Sequence, residues 1–370
     1  MTERSVSINR WLLPFSWLYG GGVWLRNKLF DWGFLHSRSF DIPVICIGNL
    51  TVGGTGKTPH TEYLIRLLQQ EELNVAVLSR GYKRKTKGYI LADTGSNASQ
   101  IGDEPYQMKK KYPQARIAVD ANRCHGINQL HHLDNPPVDA ILLDDAFQHR
   151  YVKAGLNILL TDYNRLFTED ALLPAGRLRE PASSKNRAQI VIVTKCPADI
   201  KPIDFNITAK QVNLYPYQQL YFTQIRYGVP TPLFPEVIGS DNVSNALSGE
   251  EHVLLVTGIA SPQPLVEEVN LYAKQVKLLP FADHHNFSAK DLQLIEKEFA
   301  RMQGYRRLII TTEKDAARLK GHPSLSNELK SYIYVIPIEI EFLLNQQESF
   351  NQNIIGYVRK NSRNGSLPQK

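Results

Sequence analysis

The stretch Gly48 to Pro59, GNLTVGGTGKTP, follows an apolar run, PVICIGN, and opens a segment, KTPHTEYLIRLLQQEE, whose apolar residues recur at helical spacing. A glycine-rich turn between a strand and a helix leaves backbone N–H groups free at the helix N-terminus, where they converge on phosphate oxygens. The P-loop pattern is Gly, four residues, then Gly-Lys-Ser/Thr. Gly56-Lys57-Thr58 fits it, and the first glycine position holds Thr51. Gly53 and Gly54 compensate by keeping the backbone open. Thr51, Val52, Gly53, Gly54, Thr55 and Gly56 are thus the expected phosphate cradle. Lys57 is expected to neutralise the β- and γ-phosphates, and the Thr58 hydroxyl to hold Mg²⁺. A glycine turn without a ligand is the alternative, and the strand–loop–helix context argues against it.

Such a loop needs a carboxylate for the metal at the end of a neighbouring apolar strand. AILLDDAFQH supplies Asp144 and Asp145 after the run Ala140 to Leu143. Asp144 is the favoured Mg²⁺ partner and Asp145 the second choice, the other being a cap or loop residue. Further strands are expected at 74–81, 115–120, 139–145, 156–162 and 189–195, alternating with helices. That alternation predicts an α/β fold, a P-loop NTPase-type parallel sheet domain. Residues 205–250, rich in Tyr, Pro and Gln, break the rhythm, and a second alternation follows (HVLLVTGIA, VKLLPFAD, RRLIITTEKD, YIYVIPIEI). The length of 370 residues also favours two domains. The expected organisation is an N-terminal helix over 1–35, a kinase-type domain over 36–210, a second, smaller α/β lobe over 211–350 and a flexible polar tail over 351–370.

The net charge of +7 suits an anionic partner. Nothing resembles a DNA- or RNA-binding module, and the basic run Lys83 to Lys87 is expected to be a solvated loop, so nucleic acid is not expected as a partner. Cys46, Cys124 and Cys196 are too few and too scattered for a disulfide framework or a Cys-rich metal site, which places the chain in a reducing compartment. The apolar run Trp11 to Leu25 is shorter than the about 20 residues a spanning helix needs, and Pro14 and Gly20 to Gly22 interrupt it. Trp11, Trp17, Tyr19 and Trp24, flanked by Arg10, Arg26 and Lys28, predict a segment lying on an anionic membrane surface. A helix buried against the domain is the alternative.

The ordered motifs GNLTVGGTGKTP (48–59), SRGY (79–82), GDEP (102–105), DDAFQH (144–149), GRLREP (176–181), DHH (283–285) and TEKDAARL (312–319) resemble the tetraacyldisaccharide 4'-kinases of lipid A biosynthesis. One departure is Ala146, where that family typically has glycine, which bears on the backbone beside the metal site. The resemblance implies an ATP- and Mg²⁺-dependent enzyme at the cytoplasmic face of the bacterial inner membrane. It would move the γ-phosphoryl of ATP to the 4'-hydroxyl of a lipid A disaccharide precursor, tetraacyldisaccharide 1-phosphate, giving lipid IVA, with no obligate protein partner evident. By the residues alone Asp103 is a helix cap. The resemblance instead places Asp103 in the catalytic site, paired with His284, with His285 the weaker candidate. It also implies Arg179 as the clamp on the transferring phosphoryl group, Glu180 as the residue that orients Arg179, and Arg123 as a contact to phosphate or substrate. A surface role for Arg123 stays open, and Arg80 either meets the substrate's 1-phosphate or braces a strand end.

A rival reading is a P-loop GTPase or ATPase switch at the membrane. VTKCPAD (193–199) is similar to the base-reading Lys-x-Asp of GTPases, but Asp199 stands four residues beyond Lys195 where two are expected. A binding module without chemistry leaves Asp103, Arg179 and His284 unexplained.

Overall fold

A computed structural model describes residues 6–238, 249–283 and 285–361. The chain divides into two compact units, one built from residues 1–225 and 340–370 and the other from 226–339.

The first unit carries a nine-stranded sheet. In chain order its strands are β1 (Val44–Asn49), β2 (Val75–Ser79), β3 (Ile90–Leu91), β4 (Arg116–Val119), β5 (Ala140–Asp144), β6 (Leu156–Asp162), β7 (Ile190–Thr194) and β8 (Gln219–Tyr227). The spatial order is β8-β7-β6-β1-β5-β2-β4-β3, and a late strand, Ile338–Phe342, lies beside β8. β1 pairs parallel with both β5 and β6. The six strand segments expected from 43–49 to 189–195 are all present.

Every residue of β1, β2, β5 and β7 is buried. A parallel strand covered on both faces reads as a continuous apolar run, which is why these segments were legible. Successive side chains go to opposite faces. Ile45 and Ile47 join one core with Leu64, Ile65 and Leu68, while Val44 and Cys46 join another with Ile127 and Leu130. The helices of this unit include α1 (Leu13–Asp31), α2 (Lys57–Gln70), α3 (Ala98–Ile101), α4 (Asp103–Lys111) and α5 (Arg123–His131), of which α2, α4 and α5 pack on the strands. From β1 the chain passes through α2 to β2, which lies beyond β5. Strand order therefore reverses at β1, and the loop after it opens at the switch point where α/β sheets bind ligands.

The second unit holds a five-stranded sheet. Three parallel pairings join 275–280, 252–257, 307–312 and 333–336, and a short antiparallel strand at 231–232 closes one edge. Its helix Ala289–Ala300 begins with a reciprocal cap between Ser288 and Asp291.

The observed division differs from the expected boundaries at 210 and 350. The segment taken as a junction contains β8, whose middle is buried beside β7. YIYVIPIEI is two strands rather than one. Pro337, which has no N–H for a ladder, separates 333–336 in the second sheet from 338–342 in the first. The expected tail also begins too early, because Gln347–Asn361 is a helix that buries Phe350, Ile354 and Val358 in the core with Ile45. Its apolar spacing of four residues was present in the sequence. The remainder of that tail, 362–370, lies outside the described residues.

Phe350→Ala tests this packing. Removing a fully buried aromatic should cost about 3–5 kcal/mol of stability and lower the melting temperature by several degrees, whereas a solvated tail predicts no change.

Candidate active site

The phosphate loop runs from Leu50 to Gly56. Gly56 caps α2 in the left-handed region at φ 82°, where an L side chain is strained, so glycine is required there. Thr51, at the position of the missing first glycine, is buried with its Oγ1 accepting from Asn49 Nδ2 at 3.4 Å. Its backbone needs no glycine freedom.

The loop is laced to GRLREP by backbone bonds. Val52 N–H donates to Arg177 O (2.8 Å) and Arg179 N–H donates to Leu50 O (2.7 Å). Arg179 consequently lies over the end of β1. Its guanidinium contacts Asp145 Oδ1 (2.8 Å) and Asn49 Oδ1. Lys57 Nζ comes to the same two groups, 3.5 Å from Asp145 Oδ1 and 3.4 Å from Asn49 Oδ1. The expected cation pair is thus assembled, with two members that sequence reasoning did not single out for it: Asn49 and, as the anchor of Arg179, Asp145.

Glu180 does not orient Arg179. It is buried and pairs with Arg187, with Arg26 at 3.9 Å.

The two consecutive aspartates sit in opposite environments. Asp144, at the end of β5, is buried and accepts from Thr61 Oγ1 at 3.3 Å. Burial and the nearby carboxylates of Glu104 and Asp145 push its pKa up to about 7. Burial also acts upward on Asp145, but the cations of Lys57 and Arg179 outweigh it and hold that carboxyl below its ordinary value. Asp145 has φ 47°, a left-handed residue that reverses the chain at the strand end, and Asp tolerates this conformation. The tight turn therefore falls on Asp145 rather than Ala146, which is why alanine fits there. Thr61, one turn beyond Thr58, is the α2 hydroxyl that reaches Asp144.

Magnesium favours one or two carboxylates together with water and phosphate oxygens rather than a cage. No group of three His, Cys, Asp or Glu side chains among the described residues is arranged to hold a metal. The crowding of carboxylates that raises Asp144 is the condition a divalent cation relieves, so the residues fit Mg²⁺.

Asp103 is the first residue of α4, and Gly102 (φ 94°) occupies the cap position, which corrects the reading of Asp103 as the cap. SRGY and GDEP pack backbone to backbone. A Cβ on Gly102 would lie 3.1 Å from Tyr82 O, and one on Gly81 would lie 2.8 Å from Ile101 O. This contact fixes where α4 starts and hence where Asp103 and Glu104 stand.

Arg123 is buried rather than on the surface, its guanidinium donating to Asp120 O at 3.0 Å. Burial, with the neighbouring Arg80 cation, lowers its pKa, and the charges of Asp144 and Asp145 are close enough to act on it. The His149 pKa falls to about 4, chiefly through burial and then through the charges of Arg123, Arg26 and Arg80. His149 and Arg26 were not anticipated as site residues, although His149 closes the DDAFQH motif.

His284 lies outside the described residues. In the second unit His285 is engaged locally, with Nε2 3.0 Å from Asp291 and its ring against Phe281.

The family described as tetraacyldisaccharide-1-P 4'-kinase (LpxK) matches residues 8–359. A tetraacyldisaccharide 4'-kinase of Bacteroides fragilis is 62% identical over 100% of this chain and 98% of the relative. One of Porphyromonas gingivalis is 46% identical over 95% and 98% respectively. A crystal structure of apo-form LpxK from Aquifex aeolicus in complex with ATP is 27% identical, with a TM-score of 0.69 over 94% of this chain and 98% of that one.

His60 supports the loop from behind, with Nδ1 2.7 Å from Gly56 O and Nε2 3.1 Å from Thr223 Oγ1. Burial lowers its pKa to about 4. An unfolded chain takes up that proton near pH 6.5, so this contribution to stability is complete above 6.5 and is lost as pH falls toward 4. Asp144 acts with the opposite sign, which makes the difference between variants the useful quantity. His60→Gln should show a shallower loss of melting temperature between pH 6.5 and 5 than wild type. Identical slopes would contradict the assignment.

Proposed function

The chain belongs to the tetraacyldisaccharide 4'-kinase family and is an ATP-dependent kinase of lipid A biosynthesis; on that premise we propose how its residues carry out the transfer. The observation that carries this reading is the meeting of Lys57 and Arg179 over Asp145 and Asn49 at the lip of the phosphate loop. Among the described residues Arg179 Nε is a buried donor with no hydrogen-bond partner, as is Arg123 Nε. Buried donors are rarely left unpaired, and two unpaired guanidinium donors near one loop suit anionic oxygens.

The backbone amides from Gly53 to Lys57 cradle the ATP phosphates. Lys57 and Arg179 spread over the oxygens of the transferring phosphoryl group, whose charge is held by fixed cations without reorganisation. Asp145 keeps both cations aimed. Thr58 and Asp144 would hold Mg²⁺, which would neutralise phosphate charge during the transfer. Asp103 accepts the proton of the acceptor hydroxyl as the new O–P bond forms and the bond from the γ-phosphorus to the β-bridging oxygen breaks, releasing ADP. Arg26, Arg80 and Arg123 around a neutral His149 form the seat for the substrate's own phosphate.

The membrane placement proposed here is supported by α1 and the turn before it. Trp11 (91%) in that turn and Trp17 (73%) and Leu18 (77%) in α1 are exposed, apolar side chains suited to a lipid surface. Among the described residues no helix is long and apolar enough to cross a membrane. The face of the membrane, the cytoplasmic side, is part of this proposal.

Wild-type protein should pass label from radioactive ATP to a lipid A disaccharide 1-phosphate in micelles. Lys57→Ala and Asp103→Asn should each lower kcat by about 10²-fold or more. Nucleotide hydrolysis without lipid labelling would instead favour the switch reading. His149→Ala and Arg80→Ala should raise KM for the lipid while leaving KM for ATP within about twofold. At limiting Mg²⁺, turnover should fall as pH drops below about 7, where protonation of Asp144 opposes the metal; rates that do not depend on pH between 6 and 8 would remove Asp144 from that role. Trp17→Glu with Leu18→Glu should reduce flotation with anionic vesicles.

A further inference from the structure

α1 presents a second face, opposite in purpose to its exposed strip. Ser16, Tyr19, Gly20 and Arg26 fall on one side at helical spacing, and all four meet the segments that carry the clamp. Ser16 Oγ donates to Leu172 O at 2.9 Å and accepts from Ala175 N–H at 3.0 Å. A Cβ on Gly20 would lie 2.8 Å from Leu172 Cδ1, so the helix backbone runs directly against this segment. Tyr19 O–H donates to the carbonyl of Arg179 at 2.9 Å. Arg26 donates to Gln148 O at 2.9 Å.

Both of these contacts lead to Asn49. The Arg179 guanidinium bonds Asn49 Oδ1, and the Gln148 side chain donates to Asn49 O at 2.8 Å. Asn49 Nδ2 in turn donates to Thr55 Oγ1 within the phosphate loop at 2.8 Å. The amide of Asn49 is fully used, its oxygen facing cations and its nitrogen facing hydroxyls, so its orientation is fixed. The peptide of Arg179 is pinned on both sides, its N–H to Leu50 of the phosphate loop and its C=O to Tyr19 of α1.

We propose that α1 is a positioning element of the transfer site, in which Tyr19 holds Arg179 in register and Asn49 passes that placement to the phosphate loop. The helix that rests on the lipid surface is thereby part of the device that aims the phosphoryl clamp. Tyr19 is a positioning residue, since it touches Arg179 and no reacting atom. The inference rests on the clamp role proposed for Arg179. Spatial adjacency is not coupling, so the test is a double-mutant cycle.

Full-length wild type, Tyr19→Phe, Arg179→Ala and the double variant are compared in anionic vesicles containing the lipid acceptor. Tyr19→Phe keeps the ring and removes one hydrogen bond. It should lower kcat roughly 3- to 10-fold with KM for ATP, vesicle flotation and melting temperature unchanged, a split that a mere packing defect would not give. In the Arg179→Ala background the same change should produce no further loss. Wild-type kcat for Tyr19→Phe beside a disabled Arg179→Ala overturns the inference and leaves the clamp standing. Losses that multiply in the double variant also overturn it, because Tyr19 would then act independently of Arg179. Full activity of Arg179→Ala removes the clamp role itself and this inference with it.

Discussion

The site depends on where the carbonyls of the phosphate loop are tied. For backbone amides to converge on an anion, the carbonyls between them must find donors on the outside. The structure meets that demand at four carbonyls. Leu50 O takes Arg179 N–H, Gly54 O takes the Lys195 ammonium, Thr55 O takes Thr194 Oγ1 at 3.0 Å, and Gly56 O takes His60 Nδ1. An unpaired buried backbone group is costly, so each of these bonds fixes the loop as firmly as the glycines permit it to bend. Lys195 is itself held by Asp162 at 2.8 Å. The lysine in the segment with a GTPase-like look therefore has a structural use, gripping the loop from the end of β7.

The second governing feature is the split fate of two adjacent carboxyls. Parallel-strand geometry sends Asp144 inward, against Thr61 and other carboxylates, while the left-handed turn at Asp145 sends that side chain to the lip, where 37% of it stays exposed between Lys57 and Arg179. One group is crowded by burial and neighbouring carboxylates, and the other, held below its ordinary pKa by two cations, aligns them. Neighbouring residues take up different electrostatic work because burial and partner charges, rather than residue type, set the state of each.

Much of the frame was legible because its signals are local. A buried parallel strand announces itself as an apolar run, and strand, glycine loop, Lys and helix form a signature that few other structures share. Strands β1, β2, β4, β5, β6 and β7, the loop and Lys57 were placed by such patterns, whereas Arg179 came from the family resemblance and the two-residue β3 went unread. The errors occurred where long-range packing overrode local composition. A Tyr- and Gln-rich stretch became β8 because β7 offered an edge, Pro337 divided one apparent strand between two sheets, and a polar-looking tail was helical because Phe350, Ile354 and Val358 had a core to enter. Glu180, given by the resemblance as the partner of Arg179, pairs with Arg187 instead, and Asp145 takes the place beside Arg179.

The sequence by itself determined the chemistry available: a phosphate cradle, a lysine, two aspartates, arginines in fixed motifs and an aromatic N-terminal segment. Those depend on residue type and short spacing, which a chain carries in its order. Only the tertiary structure decided which partners these groups have. Asn49 became the joint between loop and clamp, Thr61 rather than Thr58 met Asp144, Arg123 went inside, and Tyr19 turned its hydroxyl to Arg179. Hydrogen bonds and ion pairs form across strands and helices that are remote in sequence, and their identity is fixed only when packing brings specific atoms within about 3 Å.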